Sequence, residues 1–148
     1  MLPSFIVPNQ DGVLVSSDQL KGHWAVLYFY PKDNTPGCTQ EACDFRDAYD
    51  QFKKIGCMVF GISKDSPKSH TNFISKYALP FDLLCDSEGK ICESFGVWVE
   101  KSMYGKKYFG IERSTFLIAP NSTIAHVWRK VSVKDHVEEV VRVLTGIL

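Results

Sequence analysis

The sequence has 148 residues, is 45% apolar and carries 17 basic against 17 acidic side chains; that is enough for one sizeable core and too little for two ordinary domains. The zero formal net charge gives no long-range field toward phosphate backbones or anionic lipid, which argues against nucleic acid as a partner. No apolar run reaches the roughly 18 residues of a membrane span, and MLPSFIVPNQDG lacks the basic and then apolar regions of a secretory leader, so a soluble, cytoplasmic, single-domain chain over residues 1–148 is expected.

In chain order, Asp11-Gly12 between short apolar runs predicts a small N-terminal hairpin. Residues 24–30, WAVLYFY, are apolar without interruption and bounded by Gly22 and Pro31, the pattern of a strand buried on both faces of a sheet. Next, Ala42, Phe45, Tyr49 and Phe52 recur at steps of three and four, with charged residues largely between them, as on an amphipathic helix. CMVFGIS (57–63) and PFDLLCD (80–86) read as strands, separated by a helix carrying Phe73, Ile74 and Tyr77. Ser66 suits the cap of that helix and Pro67 its first position, where a missing N–H costs nothing. SEGKICESFGV predicts a short helix with Ile91 and Phe95 on one side. STFLIAPNSTIAHVWRKV predicts two strands about a Pro-Asn-Ser turn, and Val137, Val140, Val141 and Leu144 stripe a closing helix that begins near Ser132. The sum is an α/β chain with a central mixed sheet flanked by helices, an order that fits a thioredoxin-like fold without excluding other small α/β domains.

The five cysteines, Cys38, Cys43, Cys57, Cys85 and Cys92, are odd in number, and none are spaced C-x-x-C. A disulfide framework and a structural zinc site are therefore not expected. His23, His70, His126 and His136 form no ligand pattern and receive no role. The three tryptophans are read as core and pocket wall, because no basic cluster interleaves with them. What remains is redox chemistry at one or two thiols.

Cys38 follows Pro36-Gly37 at the start of the predicted amphipathic helix. There, unpaired N–H groups and the positive end of the helix dipole favour a thiolate, the nucleophilic form of cysteine. Thr35, three residues earlier, offers a hydroxyl; Arg113 opens the RSTFLI strand and would meet Cys38 if that strand neighbours the central one. A guanidinium supplies a permanent charge and a fork of donors suited to two bonded oxygens, which is what a peroxide presents. Displacement at a peroxide needs fixed donors for the charge growing on the departing oxygen, and the sulfenic acid so formed condenses with a second thiol. Cys43 is the candidate second thiol. Five residues of ideal helix separate Cα atoms by roughly 8.7 Å, beyond the ~7 Å limit for a disulfide, so a Cys38–Cys43 bond requires the helix start to unwind.

PKDNTPGC resembles the P-x-x-x-T-x-x-C signature of peroxiredoxins, and TPGCTQEACDFRD, with its second cysteine five positions on, resembles the bacterioferritin comigratory protein (peroxiredoxin Q) branch. Similarity continues through GISKDSPKSH, FGVWVEKSMYGKKYFGIERSTFLI and the closing helix, nearly the whole chain. The resemblance implies a thioredoxin fold, reduction of hydrogen peroxide and organic hydroperoxides, no metal or organic cofactor, and recycling by thioredoxin or a related dithiol, with a monomer expected. It makes Cys38 peroxidatic, puts Thr35, Pro31 and Arg113 in its pocket, and gives Glu41 a supporting contact with the arginine. Some members carry the resolving cysteine in the next helix; SHTNFISKY contains none, which leaves Cys43 as the matching choice and Cys92 as its competitor. Cys57 and Cys85 read as small apolar strand residues. Two other classes stay open on the residues alone: a redox-sensing interaction module, and a dithiol oxidoreductase, against which the absence of C-x-x-C argues.

Overall fold

The structure, a computed structural model, describes residues 2–148. It opens with a hairpin of β1 (Ile6–Pro8) and β2 (Leu14–Ser16), registered Val7 to Val15, with Asn9 Oδ1 accepting from the N–H groups of Asp11 and Val13 to hold the turn. A 3-10 turn over Ser17–Leu20 leads into β3 (Ala25–Phe29), every residue of which is buried. Helix α1 (Pro36–Ile55) follows, ending on Gly56 in the left-handed region, with Lys53 and Lys54 in the last turn, where cations suit the dipole. Then come β4 (Met58–Ser63), α2 (Pro67–Tyr77) with the Ser66 side chain accepting from the Ser69 N–H, and β5 (Asp82–Cys85). The rest is α3 (Lys90–Ser94), the hairpin β6 (Trp98–Met103) and β7 (Lys106–Ile111), the pair β8 (Ser114–Ile118) and β9 (Ile124–Trp128), and α4 (His136–Ile147).

Five strands form one mixed sheet in the order β5-β4-β3-β8-β9, with β3, β4 and β5 parallel and β8 antiparallel to both β3 and β9. Successive side chains of a strand point to opposite faces, and β3 divides its residues accordingly. Ala25, Leu27 and Phe29 pack with the N-terminal hairpin and with Ile91, Cys92 and Phe95 of the α3 region. Val26, Tyr28 and Tyr30 pack beneath α1, α2 and α4 through Cys38, Phe45, Phe52, Phe73, Val140 and Leu144. The two-sided burial explains the uninterrupted apolar run over 24–30.

The central mixed sheet flanked by helices agrees with the sequence reading, and the elements differ from it in two places. The closing helix starts at His136, not near Ser132: Asp135 sits at φ 61°, which interrupts a right-handed helix, and the Val131 N–H is taken by the Arg113 carbonyl. The β6–β7 hairpin had no counterpart in the sequence reading. Its turn, Tyr104-Gly105, has positive φ at both positions (52° and 79°), as a two-residue hairpin loop requires. Its strands are mostly exposed or half-buried, so they lack the apolar run that marks the inner strands.

Candidate active site

The site forms where β3 hands over to α1. Pro36 takes the first helical position, and the first bond across the helix start runs from the Thr39 N–H to the Thr35 carbonyl, so the Gly37 and Cys38 amides precede the ladder. Cys38 lies in this first turn and is 1% exposed. Antiparallel pairing of β3 with β8 sets Phe29 opposite Ser114, which brings Arg113, one residue before β8, to the start of α1. There Arg113 Nη2 donates to Cys38 Sγ at 3.2 Å and Nη1 donates to Glu41 Oε1 at 2.7 Å. Glu41, one turn after Cys38, thus takes the other terminal nitrogen of the fork. Gly37 permits the approach, since a Cβ there would stand 3.2 Å from Arg113 Nη2.

Glu41 has no solvent exposure, and its Oε2 has no hydrogen-bond partner among the described residues. Burial pushes its carboxyl up to about 7, although Arg113 pulls the other way. Lys101, half-buried on β6, adds a second cation near the sulfur; burial and the neighbouring Arg113 hold its ammonium below the usual lysine range. Beneath the pocket, Tyr28 is wholly buried and stacks on Phe45 with ring centroids 4.5 Å apart, which fixes the floor under α1.

The loop between β3 and α1 is held by a second buried cluster. Asp33 Oδ1 accepts from the Tyr30 hydroxyl at 2.5 Å, and Oδ2 accepts from Ser69 Oγ at 2.8 Å and contacts His70 Nδ1 at 2.7 Å. His70 Nε2 meets the Leu84 carbonyl at 3.0 Å, while the Asp33 N–H donates to Asp65 Oδ2 at 2.8 Å. The loop is thus tied to α2 and β5 immediately upstream of Cys38. Within it, Thr35 is half-buried and its hydroxyl donates to the Lys32 carbonyl at 2.9 Å, leaving its lone pairs as acceptors. Pro31 is exposed and lies two residues beyond β3, outside these hydrogen bonds.

All five cysteines are free thiols. Cys43 is half-buried on the same helix as Cys38. Cys92 packs in the core on the opposite face of the sheet from Cys38, so the folded sheet stands between the two sulfurs. Burial pushes the Cys57 thiol up to about 12, and burial with nearby Asp33 and Asp65 pushes Cys85 up to about 11. Cys92 is raised as well, by burial and then by its contact with Asp86. Thiolate chemistry is disfavoured at all three.

Of the residues singled out in the sequence, the structure brings together Cys38, Arg113 and Glu41, and places Thr35 in the adjoining loop. Sequence reasoning missed Asp33, Tyr30, Ser69 and His70, and it gave the histidines no role. That is corrected by two of them: His70 is fully buried in the cluster above, and His136 is buried 2.8 Å from Thr115 Oγ1. No spacing rule could have found them, since Asp33 and His70 are brought together only by the β3-α1-β4-α2 crossover. Lys101 was missed with its hairpin.

The sequence model of the AhpC/TSA family matches residues 1–127. Over 139 residues the chain is 55% identical to a putative peroxiredoxin bcp of Coxiella burnetii, covering 94% of this chain and 92% of that one. It is 49% identical over 142 residues to peroxiredoxin Bcp of Bacillus subtilis, covering 96% and 90%. Among solved structures, a variant of Xanthomonas campestris peroxiredoxin Q superposes with a TM-score of 0.94 at 42% identity, covering 97% of this chain and 92% of that one. A trapped intermediate/ligand complex of the X. campestris bacterioferritin comigratory protein, described for its alkyl peroxide reduction activity, gives 0.92 at 42%, with 96% and 90% covered. Matches of this extent, on a chain whose buried helix-start cysteine receives a guanidinium, place it in the AhpC/TSA family as a peroxiredoxin of the Bcp/peroxiredoxin Q kind, a thiol-dependent peroxidase.

Proposed function

We propose that Cys38 is the peroxidatic sulfur, that Cys43 resolves its oxidised form, and that thioredoxin or a similar dithiol returns the enzyme to its reduced state. The thiolate attacks one oxygen of a hydroperoxide; an S–O bond forms and the O–O bond breaks. Sulfur is thereby oxidised by two electrons and the peroxide is reduced. Arg113 stands where its fork can donate both to the sulfur and to the departing oxygen, the fixed polar arrangement that lowers the barrier for charge developing on oxygen. Thr35 contributes acceptor lone pairs at the pocket edge, Pro31 belongs to the pocket wall, and Glu41 orients the guanidinium. The observation that carries the assignment is the 3.2 Å donation from Arg113 to Cys38 Sγ.

The sulfenic acid then condenses with the Cys43 thiol, losing water as the disulfide forms. Hydrogen peroxide and organic hydroperoxides are the proposed substrates, in keeping with the alkyl peroxide activity printed for the Xanthomonas relative. One chain suffices for a turnover, because the sulfur, the guanidinium and the resolving thiol all belong to it, and the proposed working form is a monomer.

Steady-state peroxide consumption with a thioredoxin system tests the proposal. Cys38→Ser abolishes turnover; Cys43→Ser loses thioredoxin-supported turnover but keeps one oxidation event; Cys92→Ser behaves as wild type. Normal turnover of Cys43→Ser with failure of Cys92→Ser would reassign the resolving role.

A further inference from the structure

Two acidic side chains converge on one guanidinium here. Arg113 gives Nη2 to Cys38 and Nη1 to Glu41, and Cys38 and Glu41 are 1% and 0% exposed. With both acids ionised the buried group would carry two negative charges against one positive, and Glu41 Oε2, which has no partner among the described residues, would be an unsatisfied charged oxygen. Burial makes both costly. With one of the two protonated, the buried Cys38–Arg113–Glu41 trio is neutral, the half-buried Lys101 ammonium standing outside it.

We infer that Cys38 and Glu41 hold a single proton between them against Arg113, so that Glu41 is neutral while the sulfur is a thiolate and ionises when the sulfur is oxidised. The inference rests on Cys38 being the peroxidatic sulfur and goes beyond a purely orienting role for Glu41. The step balances. The hydroperoxide's proton stays on the oxygen bound to sulfur, the O–O bond breaks, and the departing alkoxide or hydroxide takes up one proton as Glu41 gives one up. Before the step the guanidinium is balanced by the thiolate, and after it by the carboxylate, so the buried charge does not change. Glu41 touches Arg113 and not the reacting oxygens; its proton enters the charge balance of the site, and it is a positioning residue for this charge.

The surrounding groups are consistent with that exchange. Asp44, on the same helix, works against ionisation of Glu41. From β6, Lys101 faces Arg113 and Cys38, with Glu112 beside it. From β3, Tyr28 lies within the field of both acids as a buried, neutral phenol, pushed far above its usual range by burial. From α4, His136 is held neutral, with Arg113 adding to the effect of burial. Arg113 is the cation that both acids contact, and the carboxyl at about 7 has its proton available near neutrality.

The test is an infrared difference spectrum of full-length Cys43→Ser protein, which retains the sulfenic acid, before and after one equivalent of cumene hydroperoxide in slightly acidic buffer. The expected result is loss of one protonated-carboxyl C=O band and gain of carboxylate, with the band missing from the start when Glu41→Gln is added. Glu41→Gln keeps an oxygen acceptor for Arg113, and its peroxide rate should lose any inflection near pH 7. Consumption of peroxide with no carboxyl change, or a change that persists in Glu41→Gln, overturns the inference and leaves Cys38 as the peroxidatic sulfur. If the Cys43→Ser protein consumes no peroxide, the assignment of Cys38 and this inference fall together.

Discussion

Arg113 reaches Cys38 from the far end of an antiparallel strand pair, its Nη2 3.2 Å from Sγ. The contact depends on the fork as well as the charge, because the second nitrogen is occupied by Glu41. Arg113→Lys keeps a positive charge and loses the fork; Arg113→Met loses both. Removing one fixed donor to a developing oxyanion costs on the order of 10²–10³ in rate, and the methionine variant is expected to lose at least that much in the second-order rate constant for peroxide. Lysine should fall between it and wild type. Stopped-flow tryptophan fluorescence provides the measurement, and a lysine variant as fast as wild type would show that charge alone suffices.

Cys38 and Cys43 sit on one continuous helix, at a spacing of roughly 8.7 Å between Cα atoms for ideal geometry. Bonding them within the ~7 Å reach of a disulfide requires the start of α1 to unwind, while the Asp33 cluster keeps the preceding loop tied to α2 and β5. Far-ultraviolet circular dichroism should therefore lose helical signal, equivalent to one or two turns, when wild type is oxidised, and recover it on reduction. Cys43→Ser treated identically should show no loss.

Gly61 faces Tyr28 across the β3–β4 pair. A Cβ at this position would stand 2.7 Å from Leu83 Cδ2, 2.8 Å from Tyr28 Cζ and 2.9 Å from its hydroxyl. The Tyr28 ring cannot retreat easily, being stacked on Phe45 and edge-on to Phe81. Gly61→Ala is expected to destabilise the fold by about 1–3 kcal/mol, the usual range for overpacking a core, and to slow peroxide reduction by disturbing the floor beneath α1. Urea unfolding with the activity assay checks both.

His136 sets an acid limit on stability. Burial, aided by Arg113, lowers its folded value from 6.5 to about 4, with Glu139 opposing. As pH falls from about 6.5 to about 4, the unfolded chain takes up a proton that the folded chain refuses, so stability falls through that window. The contribution approaches at most about 3 kcal/mol. Above it the residue is neutral in both states and contributes no slope. His136→Gln, which retains a partner for the Thr115 hydroxyl, should flatten the decline in melting temperature across the same window.

The parts of the fold that were legible in the sequence are those where one physical signal dominates. WAVLYFY announced a strand buried on both faces, Ser66-Pro67 the start of α2, and the Pro36-Gly37-Cys38 step the start of α1. Cys38 itself could be read because helix position and the T-x-x-C spacing coincide. Arg113 was legible only conditionally, since its approach depends on β8 pairing with β3, which no local pattern encodes. The β6–β7 hairpin was lost because its strands lie at the surface and bury too little to show a period. The Asp33–His70 cluster was lost because its members are polar residues that look like ordinary loop and helix surface until the crossover buries them.

The central claim is that Cys38 is the sulfur that peroxide oxidises. Treating the Cys43→Ser protein with one equivalent of hydroperoxide in the presence of dimedone, then mapping the adduct by peptide mass spectrometry, tests it most directly. The account predicts a single sulfenic acid adduct, on the peptide containing Cys38; an adduct on Cys57, Cys85 or Cys92 with Cys38 unmodified would contradict it.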